Sequence, residues 1–147
     1  MTPWLEKLFA SSTTHALRLN AQFSSARHNL LADNIANIDT PDYRSRSLDA
    51  ERFQTKLAEA LDRAKASDVE RLELRDEAQF STDRHGLLQV KPTEEPPPNT
   101  LFHDGSNARI ETLVSDLQSN AMQHRLTLNL LKGRFDGMLN AIRGRMQ

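Results

Sequence analysis

Apolar and small side chains recur at both ends of the chain at alternating steps of three and four residues, the 3.5-residue period of a coiled-coil seam. Near the N-terminus the line is Phe9, Ser12, Ala16, Leu19, Phe23, Ala26 and Leu30. It predicts one helix from about residue 3 to residue 37. Thr2 suits its N-cap, and Pro3 suits a first turn where a missing N–H costs nothing. At about 1.5 Å of rise per residue such a helix is roughly 50 Å long.

The second line is cleaner. Ile110, Val114, Leu117, Ala121, His124, Leu128, Leu131, Phe135, Met138 and Ile142 keep the alternation through ten positions. Asp104-Gly105-Ser106-Asn107 precedes it as a turn with candidate caps, and Glu111 follows in the first turns. Two seams of matched length can cover each other. The expected fold is therefore mainly α, with long N- and C-terminal helices packed as an antiparallel, coiled-coil-like hairpin around a small irregular, β-containing middle. The boundaries expected are 1–38 for the first helix, 39–106 for the middle and 107–147 for the last helix.

In the middle, Phe53, Leu57, Leu61 and Ala64 mark a short helix over about 49–66. VERLEL and LLQV are two strand-like stretches, and KPTEEPPPN (91–99) is a Pro-rich extended linker. No internal repeat or Gly-rich phosphate loop is evident.

The first helix ends in LADNIANIDTPDYR, residues 31–44. Asn34 and Asn37 are poor interior helix residues, because their amides compete for nearby backbone groups. Pro41 disfavours the helical conformation at Thr40, and Asn37 is a residue type that reaches the left-handed region cheaply. The stretch predicts helix termination near 36–38, then a tight turn at Thr40-Pro41-Asp42-Tyr43. Asn34 falls one turn past Leu30, close enough to the seam for its amide to bridge two backbones.

Composition sharpens this outline. Of 147 residues, 37% are hydrophobic and mean hydropathy is -0.63, which argues against a large enclosed core. There is no Cys, so no disulfide or thiolate metal site. The opening residues lack both a basic n-region and an unbroken apolar run, so neither a Sec signal nor membrane insertion is expected. Net charge is -1, but residues 38–106 hold fifteen acidic and ten basic side chains, while the first 37 residues hold only Lys7, Arg18, Arg27, Glu6 and Asp33. A solvated helix usually fills its outer face with charge. A charge-poor face is built to be covered.

Candidate chemistry is sparse. The histidines at 15, 28, 85, 103 and 124 never pair at the i, i+4 spacing of a zinc helix, so no metal or cofactor is expected. His124, on the second seam, reads as a packed, hydrogen-bonded histidine. Glu94, Glu95 and Asp62 have no adjacent nucleophile and read as solvated surface, not an enzyme's acid and base. Lys132, Arg134, Arg143 and Arg145 lack the interleaved aromatics and recognition-helix turn that nucleic-acid binding requires.

With the helices placed, the 31–44 stretch resembles the N-terminal signature of the flagellar axial proteins, the family of rod, hook and filament-junction subunits. Leu31, Ala32, Asn34, Ile35, Ala36, Asn37, Thr40, Pro41 and Tyr43 match its L-A-x-N-I-A-N-x-x-T-P-G-Y pattern. Asp42 stands where the family usually has Gly, so a type I turn is expected in place of type II. Length, Thr82-Asp83-Arg84-His85, the Asp104–Asn107 turn and Asn120-Ala121-Met122-Gln123-His124 resemble the short rod-type members, with His124 where they commonly carry Tyr. The resemblance covers about 80 residues in the two terminal helices and only thinly the middle. It implies a structural subunit of the proximal basal-body rod, exported unfolded by the flagellar type III apparatus without a cleaved signal, and serving in the drive shaft. The implied partners are copies of itself, other rod subunits, and the basal-body ring with its junction protein. A cytoplasmic coiled-coil adaptor or chaperone with the same hairpin is the alternative from the residue pattern alone.

Overall fold

The structure, a computed structural model, describes residues 11–67, 69, 71–76, 78–96 and 105–144. Among these residues, three helices and five short strands follow in the order α1 (Ser12–Ala36), β1 (Arg46–Ser47), α2 (Ala50–Ala66), β2 (Arg75–Asp76), β3 (Phe80–Thr82), β4 (Leu88–Val90), β5 (Thr93–Glu94) and α3 (Gly105–Gly144). The fold is mainly α, as expected. The two long helices pack against each other in antiparallel order, with Ser11 beside Arg134, Asn20 beside Thr127, and Arg27 beside Asp116.

The expected unbroken helix from residue 3 is corrected at Ser11. That residue is extended (φ -64, ψ 136), and its hydroxyl accepts the Thr14 N–H as an N-cap. The run Ser11-Ser12-Thr13-Thr14 supplies side-chain oxygens that compete for the backbone, and such residues start helices better than they continue them. Thr2, Pro3 and Phe9 lie outside the described residues.

The first seam is buried, but not against the second. Ala16, Leu19, Phe23 and Leu30 join Leu48, Phe53, Leu57, Ala60, Ala64, Leu72, Leu74 and Phe80 in one core, and Ala26 packs against it. This core lies between α1, α2 and the strands. Its centre is aromatic: the Phe23 and Phe53 rings stack at 3.9 Å, and Phe80 meets both edge-on. Such ring geometry adds to simple area burial. Helix α2 joins by its Phe53, Leu57, Ala60, Ala64 stripe, and the Asp49 side chain caps it by accepting the Arg52 N–H.

Two corrections concern the strands. LLQV contributes β4, but VERLEL does not form a strand over 71–74; there the chain is irregular and buries Leu72 and Leu74. The antiparallel β2–β3–β4 sheet is instead centred on Phe80–Thr82. The start of the Pro-rich stretch is not a free linker either. Thr93–Glu94 pairs with Arg46–Ser47, and the Glu95 N–H reaches the Ser45 carbonyl at 2.8 Å. Residues 97–99 lie outside the described residues.

Candidate assembly surfaces

The exit of α1 is built around Asn34, which is 2% exposed. Its Nδ2 donates to the Arg46 carbonyl at 2.7 Å, and its Oδ1 accepts the Arg46 N–H at 3.1 Å. The carboxamide thus pairs with Arg46 as a neighbouring strand would. Tyr43 Oη donates to the same Oδ1 at 3.0 Å, and Arg46 lies 3.9 Å from Asp33. On the other side of β1, Gln79 Nε2 donates to the Ser47 carbonyl and the Thr93 hydroxyl, while its Oε1 accepts the Asp49 N–H. Two side-chain amides therefore flank a two-residue strand that is too short to hold itself. Arg109 of α3 donates to Ser45 Oγ and lies 3.6 Å from Glu95, which ties the third helix to the same junction.

Asn37 closes the helix without entering the left-handed region: its φ is -109 and ψ 13. Its Nδ2 bonds the Asp33 carbonyl, and its own carbonyl accepts the Thr40 N–H. The positive φ falls at Asp42 instead, at 62°, in a turn closed by Tyr43 N–H to the Thr40 carbonyl. That is the type II arrangement, so the expected type I turn is corrected. Asp, with Asn, is among the few non-glycine residues that tolerate this region. Leu31 is buried and Ile35, Asn37 and Tyr43 are half-buried, while Ala32, Ala36, Thr40 and Pro41 are exposed.

The contact between α1 and α3 is polar. Asn120 Nδ2 donates to the Ser24 carbonyl at 2.7 Å, and Asn20 Nδ2 donates to Thr127 Oγ1 at 2.8 Å. Ser24 Oγ meets His124 Nδ1 at 2.7 Å, and Arg27 lies 3.8 Å from Asp116. The apolar line of α1 faces α2 and the strands, so a polar line of α1 faces α3. Buried polar groups need partners, and the facing helix supplies them.

This rotates the expected second seam. Ile110, Leu117, His124, Leu131 and Met138 still lie on covered or half-covered positions, and Ala121 and Ile142 are half-buried. Val114, Leu128 and Phe135 do not: they are 37, 43 and 40% exposed. Leu113, just before Val114, is half-buried and Thr127, just before Leu128, is buried, as is Asn120 two turns earlier. Met122, Leu126, Leu130 and Leu139 add to the exposed apolar surface of α3. Periodicity did not mark Asn120 or Thr127 as buried; the polar positions of α1 at matching intervals, Asn20, Ser24 and Arg27, were the signal available.

Among the described residues no three metal-capable side chains gather, and no helix is long and apolar enough to cross a membrane. Open depressions of about 410 Å³, lined by Ser67, Arg71 and Glu73 beside the end of α2, and about 370 Å³, lined by Ser115, Ser119 and Gln123 on α3, lie on the surface.

Long antiparallel helices, one with a small mixed core packed along it from Ala16 to Leu30 and the other with exposed apolar side chains, define a helical structural protein. Comparison with known proteins specifies it further. No protein-family model matches the chain. It is 30% identical over 132 residues to the flagellar basal body rod protein FlgB of Escherichia coli (strain K12), covering 86% of this chain and 87% of the relative. The FlgB of Borrelia hermsii is 30% identical over 112 residues (76% and 81%), and that of Salmonella typhimurium 27% over 136 residues (88% of both). The chain belongs to the FlgB family of flagellar basal body rod proteins.

Proposed function

We propose that the chain is a structural subunit of the proximal flagellar rod, assembled through its terminal helices and transmitting torque as part of the drive shaft. The observation that carries this reading is the apolar line Val114, Leu128, Phe135 on a helix already fastened to α1 by polar contacts. Such a patch on a folded chain marks a protein contact. Neighbours that cover it are other copies of the chain and other rod subunits, with the basal-body ring and its junction protein beyond them. The route out of the cytoplasm is the flagellar type III apparatus, without a cleaved signal. Marginal intrinsic helix stability suits a chain that crosses a channel unfolded and folds against partners.

In this reading Asn34, Asn37 and Pro41 set the angle at which the middle segment leaves α1, an angle every subunit must repeat. The test is complementation of a strain lacking the native subunit with Leu128→Asp/Phe135→Asp. The expected result is a protein that is exported, folds, and is absent from purified basal bodies. Normal swimming with the double variant would overturn the surface assignment, and failure of the unaltered chain to leave the cytoplasm by flagellar export would overturn the rod role in favour of a cytoplasmic adaptor.

A further inference from the structure

His15, in the first turn of α1, joins two separate segments of the middle. Its Nδ1 accepts the backbone N–H of Leu72 at 2.9 Å, and its Nε2 lies 2.9 Å from the Gly86 carbonyl. An N–H can only donate and a carbonyl only accept, so both bonds form together in one state of the ring: neutral, with its proton on Nε2. An imidazolium carries protons on both nitrogens and cannot accept from Leu72. The seat is close-fitting. Gly86 has φ +75, and a Cβ placed there would stand 3.0 Å from His15 Nε2. Leu72, beside the ring, is a core residue.

We propose that His15 is an acid-released latch holding Leu72 and Gly86 of the middle against α1. Protonation of the ring removes the acceptor for the Leu72 N–H while the Gly86 bond alone remains. Charged groups of both signs surround the latch. Arg18 follows one turn on along α1, and the joined loops carry Arg71, Glu73, Asp83, Arg84 and His85. Arg71 Nε would lie 3.6 Å from the same added Gly86 Cβ, which places a guanidinium beside the ring, and its Nη1 bonds the Arg84 carbonyl. Arg63 Nη2, from the end of α2, reaches the Glu73 carbonyl, and the Asp83 carboxylate accepts the His85 and Leu87 N–H groups.

The sign follows from which state takes the proton. The latch is at full strength where the ring is neutral and weakens where the ring takes up a second proton, because only the released ring can carry it without losing the Leu72 bond.

The test uses the full chain labelled with ¹⁵N. At pH 7.5 the His15 ring is expected in the Nε2–H tautomer. Leu72 amide exchange, corrected for its intrinsic pH dependence, is expected to show a severalfold larger opening constant at pH 5.5 than at pH 7.5. His15→Asn sets an Oδ1 near the place of Nδ1, keeps an acceptor that does not titrate, and is expected to lose that pH response. Gly86→Ala displaces the ring and is expected to leave Leu72 weakly protected at both pH values, while His85→Asn should behave as the unaltered chain. An Nδ1–H tautomer, or an equal pH response in His15→Asn, overturns the proposal. If neither His15→Asn nor Gly86→Ala folds, the tautomer and the pH response of the unaltered chain decide it.

Discussion

Helices α1 and α3 carry apolar lines of the same period and use them in opposite ways. The line on α1 is enclosed by α2 and the strands; the line on α3 turns Val114, Leu128 and Phe135 outward, and α3 is fastened by Asn120, His124 and Thr127. A shared period therefore identifies which residues occupy one face of a helix, but not what that face meets. The small middle is what separates the two cases. With Phe53 stacked on Phe23 and Phe80 meeting it edge-on, the apolar line of α1 is taken up by the middle of the chain.

The largest effect should come from setting the two lines side by side. Phe53→Ala removes a fully buried ring and should lower stability by about 3–5 kcal/mol in urea unfolding. Leu128→Ala and Phe135→Ala, on the exposed line, should stay within about 0.5 kcal/mol in the monomer. Comparable losses at both sites would mean that α3 buries its line within the single chain after all.

Next in size is the junction from which both helices are held. Asn34→Ala leaves the Arg46 N–H and carbonyl without their partner and strands Tyr43 Oη. Unsatisfied groups of this kind cost about 1–3 kcal/mol each when buried, and a total near 3 kcal/mol is expected because Arg46 is an exposed residue. Asn34→Asp keeps the acceptor and loses the donor, so it should fall between. Asn37→Leu should be close to neutral in the monomer, since Leu is the better helix former by a few tenths of a kcal/mol. Loss of motility with that variant, while folding is unchanged, would place its role in assembly.

Much of this was legible in the chain. The two long helices, the helix over 50–66, β4 and the antiparallel pairing follow from period and caps. The residues missed share one physical feature: they are polar groups whose partners lie far away in sequence. Gln79 holds Asp49 and Asn120 reaches back to Ser24, while Asn34 was singled out for its backbone-bridging amide but not its partner Arg46, twelve residues on. Hydrophobic period carries no trace of such bonds. The turn at Asp42 differs from expectation for another reason: propensity ranks Asp below Gly at positive φ, yet the Tyr43 N–H bond to the Thr40 carbonyl and Pro41 hold it there.

A smaller effect should come from the ladder that fastens α3. Asn120→Ala removes a donor from the Ser24 carbonyl, and Thr127→Val removes the acceptor for Asn20. Each should cost about 1 kcal/mol, with the loss seen as faster amide exchange along α3 and little change in the Phe23–Phe53–Phe80 core. If the core amides exchange faster by the same factor, the two helices share one cooperative unit and the contrast between them dissolves.

The smallest effect concerns the turn after β3, on the α1 side of the molecule. Asp83 accepts the Leu87 and His85 N–H groups at 2.8 Å, and its own N–H reaches the Leu87 carbonyl. The Leu87 N–H, and after it those of His85 and Gly86 with the nearby His85 ring, hold the carboxyl below its ordinary value of 3.8. A lowered carboxyl contributes stability that is fully present above the ordinary value and disappears as pH falls through the lowered one. Asp83→Asn keeps an acceptor but not the charge, so the variant should differ slightly from the unaltered chain at pH 7 and converge with it below about pH 4. Because the group is open to solvent, the change is best read from the Asp83 carboxyl carbon shift and from the exchange of the Leu87 amide, not from global unfolding. The α3 ladder, which contains no carboxylate except Asp116 at its rim, should not respond over the same window. A response of Asn120 and Thr127 equal to that of Leu87 would show that acid loosens the whole hairpin and not one turn of it.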